Sequence, residues 1–224
     1  MEIISGEKNL LEKKVARLIS RKISENNNDY FVLGLVGGKS VKGILDDLKR
    51  EVKEWKKVNF FMVDERRVDL ADKESNYRAI YDSFFKELLK DKKISKKNLH
   101  PYNHNSIIND YSNKFKKFGG KFDLVILSAA EDGHIAGLFP NFTIKKTNKE
   151  FFTFDNSPKP PSERMTASRY LIEQSNSAIL LFFGDEKKET YKNFLNNKIP
   201  IDECPAKIVK NISDSYVFTN IEGY

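Results

Sequence analysis

Phe122 to Leu127, FDLVIL, runs without a break into Ser128 to Pro140, SAAEDGHIAGLFP, and this junction decides the fold. The first part is almost continuously apolar, the pattern of a strand covered on both faces rather than one alternating between core and water. The second part turns polar at once. Asp132, Gly133 and His134 put an orienting carboxylate, a bend of bare backbone and the side-chain type that exchanges protons near neutral pH at one strand end. Because Asp-Gly is also an ordinary turn pair, the weight falls on what the rest of the chain sets beside it.

Working outward, the same unit recurs. Tyr30 to Val36 reads as a buried strand broken by Gly37 and Gly38, after which Val41, Ile44, Leu45 and Leu48 mark a helix face. Val58 to Val63 is a second strand, followed by the polar cluster Asp64, Glu65, Arg66 and by Ser75 as the N-cap of a helix with Tyr77, Ile80, Tyr81, Phe84, Phe85 and Leu88 inside. Ser177 to Phe183 is another apolar strand, ended by Gly184, with a helix from Asp185 carrying Tyr191, Phe194 and Leu195 inward. Shorter pieces fill the gaps. An amphipathic helix spans Glu7 to Glu25, strands are expected at Asn98 to Tyr102 and Glu150 to Phe154, a helix at Ile107 to Phe115, and a proline-bounded loop, Pro158 to Pro161, leads into Ser162 to Thr166. Ser215 to Thr219 is expected to close the sheet.

Strands alternating with helices imply an α/β fold: a mostly parallel sheet flanked by helices on both faces, as a single domain over residues 1–224. Ligands in such sheets sit beyond the carboxyl ends of the strands. Four polar clusters hold that position here: Gly37 to Ser40, Asp64 to Arg66, Glu131 to His134 and Gly184 to Lys187. Parallel strands would crowd all four onto one rim.

Composition narrows the partners. The 224 residues carry a formal charge of +7 and 39% apolar side chains, enough for a sizeable core and a bias toward anionic ligands. Lysines such as Lys86, Lys90, Lys92, Lys93, Lys96 and Lys97 are scattered rather than striped, and no aromatic-basic module accompanies them, so nucleic acid is not the expected partner. No apolar run approaches the roughly 18 residues of a membrane helix. Glu2 stands where a signal sequence would begin its apolar stretch, and Cys204 is the only cysteine, so a cytoplasmic, reducing location is expected without internal disulfide or thiolate metal cluster. His100, His104 and His134 lack compact metal-ligand spacing, and no metal or organic cofactor is expected. A monomer or weak homo-oligomer is anticipated.

Gly37, Gly38, Lys39 and Ser40 offer backbone N–H groups, a hydroxyl and a cation at a helix start, where the macrodipole favours phosphate. Arg66 could fork onto a phosphate or carboxylate, or pair with Asp64 or Glu65. Arg164 and Lys187, taken singly, would be solvated surface charges. The run Gly38-Lys39-Ser40 imitates a nucleotide-binding P-loop, but that motif needs glycine at position 33, where Leu33 stands and Gly34 is one place off.

Together these motifs resemble the 6-phosphogluconolactonase family, relatives of the glucosamine-6-phosphate deaminases. The resemblance rests, in chain order, on Gly37 with Gly38; Asp64, Glu65 and Arg66; Ser75 and Asn76; Asp132, Gly133 and His134 with Leu138, Phe139 and Pro140; Pro161 to Thr166; and Gly184 with Lys187. The deaminase branch continues after Asp-Gly-His-Ile-Ala in a Phe-Asn-Glu-Pro manner that supplies an extra acid, whereas Gly137, Leu138, Phe139 and Pro140 follow here. What the resemblance implies is a modified Rossmann-like fold and hydrolysis of a small phosphorylated sugar lactone. His134 would be the catalytic base with Asp132 orienting. Arg66, Arg164 and Lys187 would hold the phosphorylated substrate beside the glycine turn, with Asp64 and Gly133 lining its site. An amino-sugar phosphate deaminase or isomerase, and a sugar-phosphate-binding protein without catalysis, are the alternatives. Two positions depart from the family pattern. Ser128, Ala129 and Ala130 replace a glycine-rich turn, which would strain alanine if positive φ were needed there, and Lys39 replaces a small hydroxyl residue.

Overall fold

A computed structural model describes residues 1–142 and 147–221. Its first half runs β1 (Glu2–Ser5), α1 (Lys8–Glu25), β2 (Phe31–Leu35), α2 (Lys42–Glu51), β3 (Val58–Met62), β4 (Asp64–Arg66), α3 (Asn76–Ile80), α4 (Lys86–Lys90) and β5 (Leu99–His100). The second half runs α5 (Ile108–Lys116), β6 (Leu124–Ser128), β7 (Phe151–Phe154), β8 (Arg164–Ala167), α6 (Arg169–Glu173), β9 (Ala178–Phe182), α7 (Lys188–Leu195) and β10 (Ser215–Thr219). A π turn over Tyr81–Phe85 joins α3 to α4 into one rod.

Seven strands form one sheet in the order β1-β10-β9-β6-β2-β3-β5, and every neighbouring pair in it is parallel. Every residue of β2, β3 and β9 is buried, which requires cover on both faces and explains why these strands read as nearly continuous apolar runs, Asn59 of β3 being the polar exception. The helices supply that cover. In α1, Leu11, Val15, Leu18 and Ile19 fall at helical spacing and are buried, while Ser75 caps α3 by accepting the Arg78 N–H at 3.1 Å. Phe61 of β3 anchors an aromatic cluster, stacked on His100 at 4.2 Å and edge-on to Tyr111, Phe115 and Phe118.

The remaining strands, β4, β8 and β7, form a separate antiparallel sheet. Glu150 to Phe154 is therefore a strand, but not of the parallel sheet, and Asp64–Arg66 and Arg164–Ala167 are strands where a polar cluster and a loop were expected. Their register sets Asp64 opposite Thr166, Glu65 opposite Met165 and Arg66 opposite Arg164. A bond from the Ala167 N–H to the Val63 carbonyl, 2.6 Å, ties this sheet to the end of β3. Ser215 to Thr219 lies one place in from the border, since β1 pairs outside it. At four mostly exposed residues, β1 carries too little apolar pattern to announce itself. Among the described residues no helix is long and apolar enough to cross a membrane, and no group of three or more His, Cys, Asp or Glu is placed to hold a metal.

Candidate active site

Because β2, β3, β6 and β9 are parallel, the segments that follow them share one rim, and a cavity of about 270 Å³ opens there. Its walls include Gly37 and Gly38 after β2, Asp64 and Arg66 after β3, Ser128 to Glu131 and His134 after β6, and Lys187 after β9. Asn76, Lys159 and Arg164 complete the ring. The size and the convergent polar groups suit a small, charged ligand.

The turn after β6 presents the imidazole. His134 Nδ1 meets Asp132 Oδ1 at 2.6 Å, and the same oxygen accepts the His134 backbone N–H at 3.2 Å. With an ionised Asp132 this fixes the proton on Nδ1 and leaves Nε2 free to accept one. Partial burial works against the Asp132 charge, but the hydrogen bonds and charges of His134 and Lys159 outweigh it and hold the carboxyl well below the usual range. Phe139 packs its ring against the imidazole, centroids 4.4 Å apart. Asp132 itself sits behind His134, and Gly133 bends the chain at φ +87°, donating its N–H to the Ala130 carbonyl at 3.0 Å.

Ser128, Ala129 and Ala130 all keep negative φ, so the strain anticipated for alanine in this turn does not arise. The left-handed residue is Ala136 instead, at φ +51°, a conformation that costs alanine about 1 kcal/mol. It is held in place because the next N–H, that of Gly137, donates to Thr166 Oγ1 at 3.0 Å. The loop bearing the base is thus pinned to β8.

One wall is cationic. Arg66 and Arg164 are cross-strand partners in the antiparallel sheet, and like charges so placed repel unless an anion lies between them. Arg164 is buried, against the surface position expected of it, and is steered by three carbonyls: Nε donates to Pro161 at 3.1 Å, Nη2 to Lys159 at 3.1 Å and to Pro160 at 2.9 Å. Burial and the neighbouring Arg66 lower its pKa, only partly countered by the nearby carboxylates of Asp64, Glu65 and Glu74. Lys187 is likewise buried, its side-chain hydrogen bonds among the described residues going to the hydroxyls of Ser40 at 3.0 Å and Ser128 at 3.2 Å, and burial lowers its pKa too.

Asp64 lines the same wall. Burial raises its pKa, countered by Arg66, Arg164 and His134, and Asn76 Nδ2 donates to Asp64 Oδ2 at 3.2 Å. Beside it Glu65 accepts the N–H groups of Arg66, Asn76 and Tyr77, each at 2.7 Å, and so ties β4 to the start of α3. Gly37 lies so close to Asn76 that a Cβ would fall 2.1 Å from its Oδ1, which explains glycine there. Neither Gly37 nor Gly38 has an acceptor for its N–H among the described residues, leaving both amides at the cavity wall.

Of the residues singled out in the sequence, the rim gathers Gly37, Gly38, Asp64, Arg66, His134, Arg164 and Lys187, with Ser40, Asp132 and Gly133 one contact behind. Lys39 is the correction. It opens a tight helical turn with its side chain exposed, in a neighbouring groove with Lys42, Ala79 and Ser83, away from the cavity. Sequence reasoning missed Lys159, and quoted Glu65 and Asn76 among the motifs without giving them a role. A lone lysine inside the run Ser157-Pro158-Lys159-Pro160-Pro161 was the available signal for the first.

A family described as glucosamine-6-phosphate isomerases/6-phosphogluconolactonase has a sequence model that matches residues 6–218. The chain belongs to this family. The 6-phosphogluconolactonase of Borreliella burgdorferi is 32% identical over 226 residues, spanning 98% of this chain and 95% of that protein. The crystal structure of the 6-phosphogluconolactonase of Thermotoga maritima superposes with a TM-score of 0.84 at 25% identity, covering 98% of this chain and 99% of that one. A monomeric glucosamine-6-phosphate deaminase superposes equally well, TM-score 0.84 at 21% identity over 98% of this chain and 97% of the other, so both branches of the glucosamine-6-phosphate isomerase/6-phosphogluconolactonase family share the backbone.

Proposed function

We propose that this chain hydrolyses 6-phospho-D-glucono-1,5-lactone to 6-phosphogluconate, a step of the pentose phosphate pathway, with His134 as general base. The observation that carries the reading is the company kept in one cavity: a carboxylate-oriented imidazole and a cross-strand pair of arginines line the same space. The lactonase names of the relatives favour the substrate.

In this mechanism the phosphate is held by Arg66 and Arg164, which brings the lactone carbonyl toward His134. Nε2 removes a proton from the attacking water, and the imidazolium formed is stabilised by Asp132. As the ring C–O bond breaks, the same proton goes to the leaving ring oxygen. The N–H groups of Gly133 and His134 are occupied within their own turn, so stabilising the oxyanion falls to the cavity's cations and the unengaged Gly37 and Gly38 amides.

A deaminase reading has the shared backbone in its favour but no acid in Gly137 to Pro140, where that branch carries one. Phe139 instead presses on the imidazole. The deciding experiment adds purified protein to freshly generated lactone. Decay faster than spontaneous hydrolysis is expected, with His134→Ala folded yet slower by roughly 10²-fold or more. A wild-type rate in that variant would remove the base assignment. Phosphosugar binding without turnover by the unmodified protein would favour the binding-protein alternative, and ammonia from glucosamine-6-phosphate the deaminase.

A further inference from the structure

Lys159 belongs to none of the motifs that carried the sequence reading, yet it touches both halves of the site. Its loop, between β7 and β8, is closed by the Ser157 N–H donating to the Ser162 carbonyl at 3.0 Å. From that loop Lys159 Nζ reaches Asp132 Oδ2 at 3.0 Å, the oxygen that His134 does not use. Its main-chain carbonyl meanwhile accepts from Arg164 Nη2 at 3.1 Å. Side chain and backbone of one residue therefore serve different partners.

We propose that Lys159 is a positioning residue for the base, clamping Asp132 so that Oδ1 stays on His134 Nδ1 and offsetting its negative charge so that the imidazole is kept in its proton-accepting form. The inference rests on the reading of His134 as general base. An ionised Asp132 alone favours the imidazolium, the form that cannot take a proton from water. A cation on the far carboxylate oxygen opposes that pull. Among the described residues, the other charges that line the cavity with His134 are Asp64 and Arg66 on β4, Arg164 on β8, Glu131 on its own loop and Lys187 after β9, none of them paired with Asp132. Because the Lys159 and Asp132 side chains are 45% and 37% exposed, their bridge adds little to stability. Its effect is on protonation and orientation.

The test compares the pH profiles of turnover of Lys159→Met, Lys159→Arg and the unmodified protein over about pH 5 to 9, which spans the interval in which histidine titrates. Without the cation the acid limb of kcat/KM is expected to move up by roughly half a unit to one unit. Turnover near neutrality then falls about threefold to tenfold and recovers in alkali, while KM stays within about twofold because the bond to Arg164 uses the backbone. Lys159→Arg restores the limb, and thermal stability is unchanged in both. An unmoved limb with unchanged turnover in Lys159→Met overturns the proposal, as does a rise in KM alone, which would make Lys159 a phosphate ligand. His134→Ala separates the two readings. If its residual rate keeps the same acid limb, the base assignment itself is at fault; if the limb vanishes while Lys159→Met leaves it in place, only the role of Lys159 falls.

Discussion

The two sheets of this molecule are built from opposite kinds of strand. β2, β3 and β9 bury every residue and are almost wholly apolar, whereas β4 and β8 bury Asp64, Glu65 and Arg164 within three- and four-residue ladders. The parallel sheet gains stability from apolar area removed from water. The antiparallel one places charges where water cannot fully solvate them, and stays folded because Glu65 is satisfied by three backbone N–H groups and Arg164 by three carbonyls. The parallel sheet thus supplies the apolar core and, beyond its strands, His134 and Lys187, while the antiparallel one adds Asp64, Arg66 and Arg164 from within its strands, the two joined through Val63 and Ala167.

The sharpest way to break this contrast is Phe61→Ala in β3. Removing a fully buried ring from the cluster with His100, Tyr111, Phe115 and Phe118 should cost about 3–5 kcal/mol in urea denaturation, with KM of the folded fraction unchanged. A cost below about 1 kcal/mol would mean that the parallel sheet is not the main store of stability.

Next in size is Arg66→Met in β4, where the opposite pattern is expected. KM for the phosphorylated substrate should rise roughly tenfold, while stability should fall by less than for Phe61→Ala, because relief of the repulsion with Arg164 offsets part of the attraction lost to buried Asp64 and the bond lost to the Glu74 carbonyl. Melting with and without inorganic phosphate checks the cause: phosphate should stabilise the unmodified protein more than the variant. A large drop in stability without phosphate would show that the arginine serves the fold.

The smallest effect belongs to the far rim, at the start of β10. Partial burial disfavours the Asp214 charge, but Lys22 at 2.6 Å and the Tyr216 hydroxyl at 2.8 Å outweigh it and lower its pKa. A depressed carboxylate stabilises above its unfolded value, near pH 4, and that contribution fades as pH falls through the folded value. With the carboxylate about a third exposed, Asp214→Asn should cost less than about 1 kcal/mol at pH 7, the difference from the unmodified protein closing in acid. Activity should not change, and a shift in KM would tie the two rims together.

The same contrast explains what could be read in the chain. Ala178–Phe182 and Val58–Met62 announced themselves because strands covered on both faces need apolar side chains throughout, and the glycine and polar runs that end them marked the rim. The short ladder did not. Asp64, Glu65, Arg66 and Arg164 look like solvent-facing residues, and only tertiary partners such as the α3 N-terminus and the Pro160 carbonyl make their burial affordable. Lys159 was hidden for a related reason: its role depends on a contact with Asp132, 27 positions earlier, that no local spacing encodes. Lys39 erred the other way, since a cation next to a glycine turn suggests phosphate whichever way its side chain leaves the turn.

The pairing of Arg66 with Arg164 carries a consequence for how such chains can diverge. Neighbouring positions along a strand face opposite ways, so sliding β8 past β4 by one place would turn Met165 toward the rim and an arginine toward the hydrocarbon. Segments between the two strands are free to lengthen or shorten by any number of residues, because the pairing is fixed within the ladder itself. An insertion or deletion of a single residue inside β4 or β8 should be far more damaging than a longer one in the loops between them.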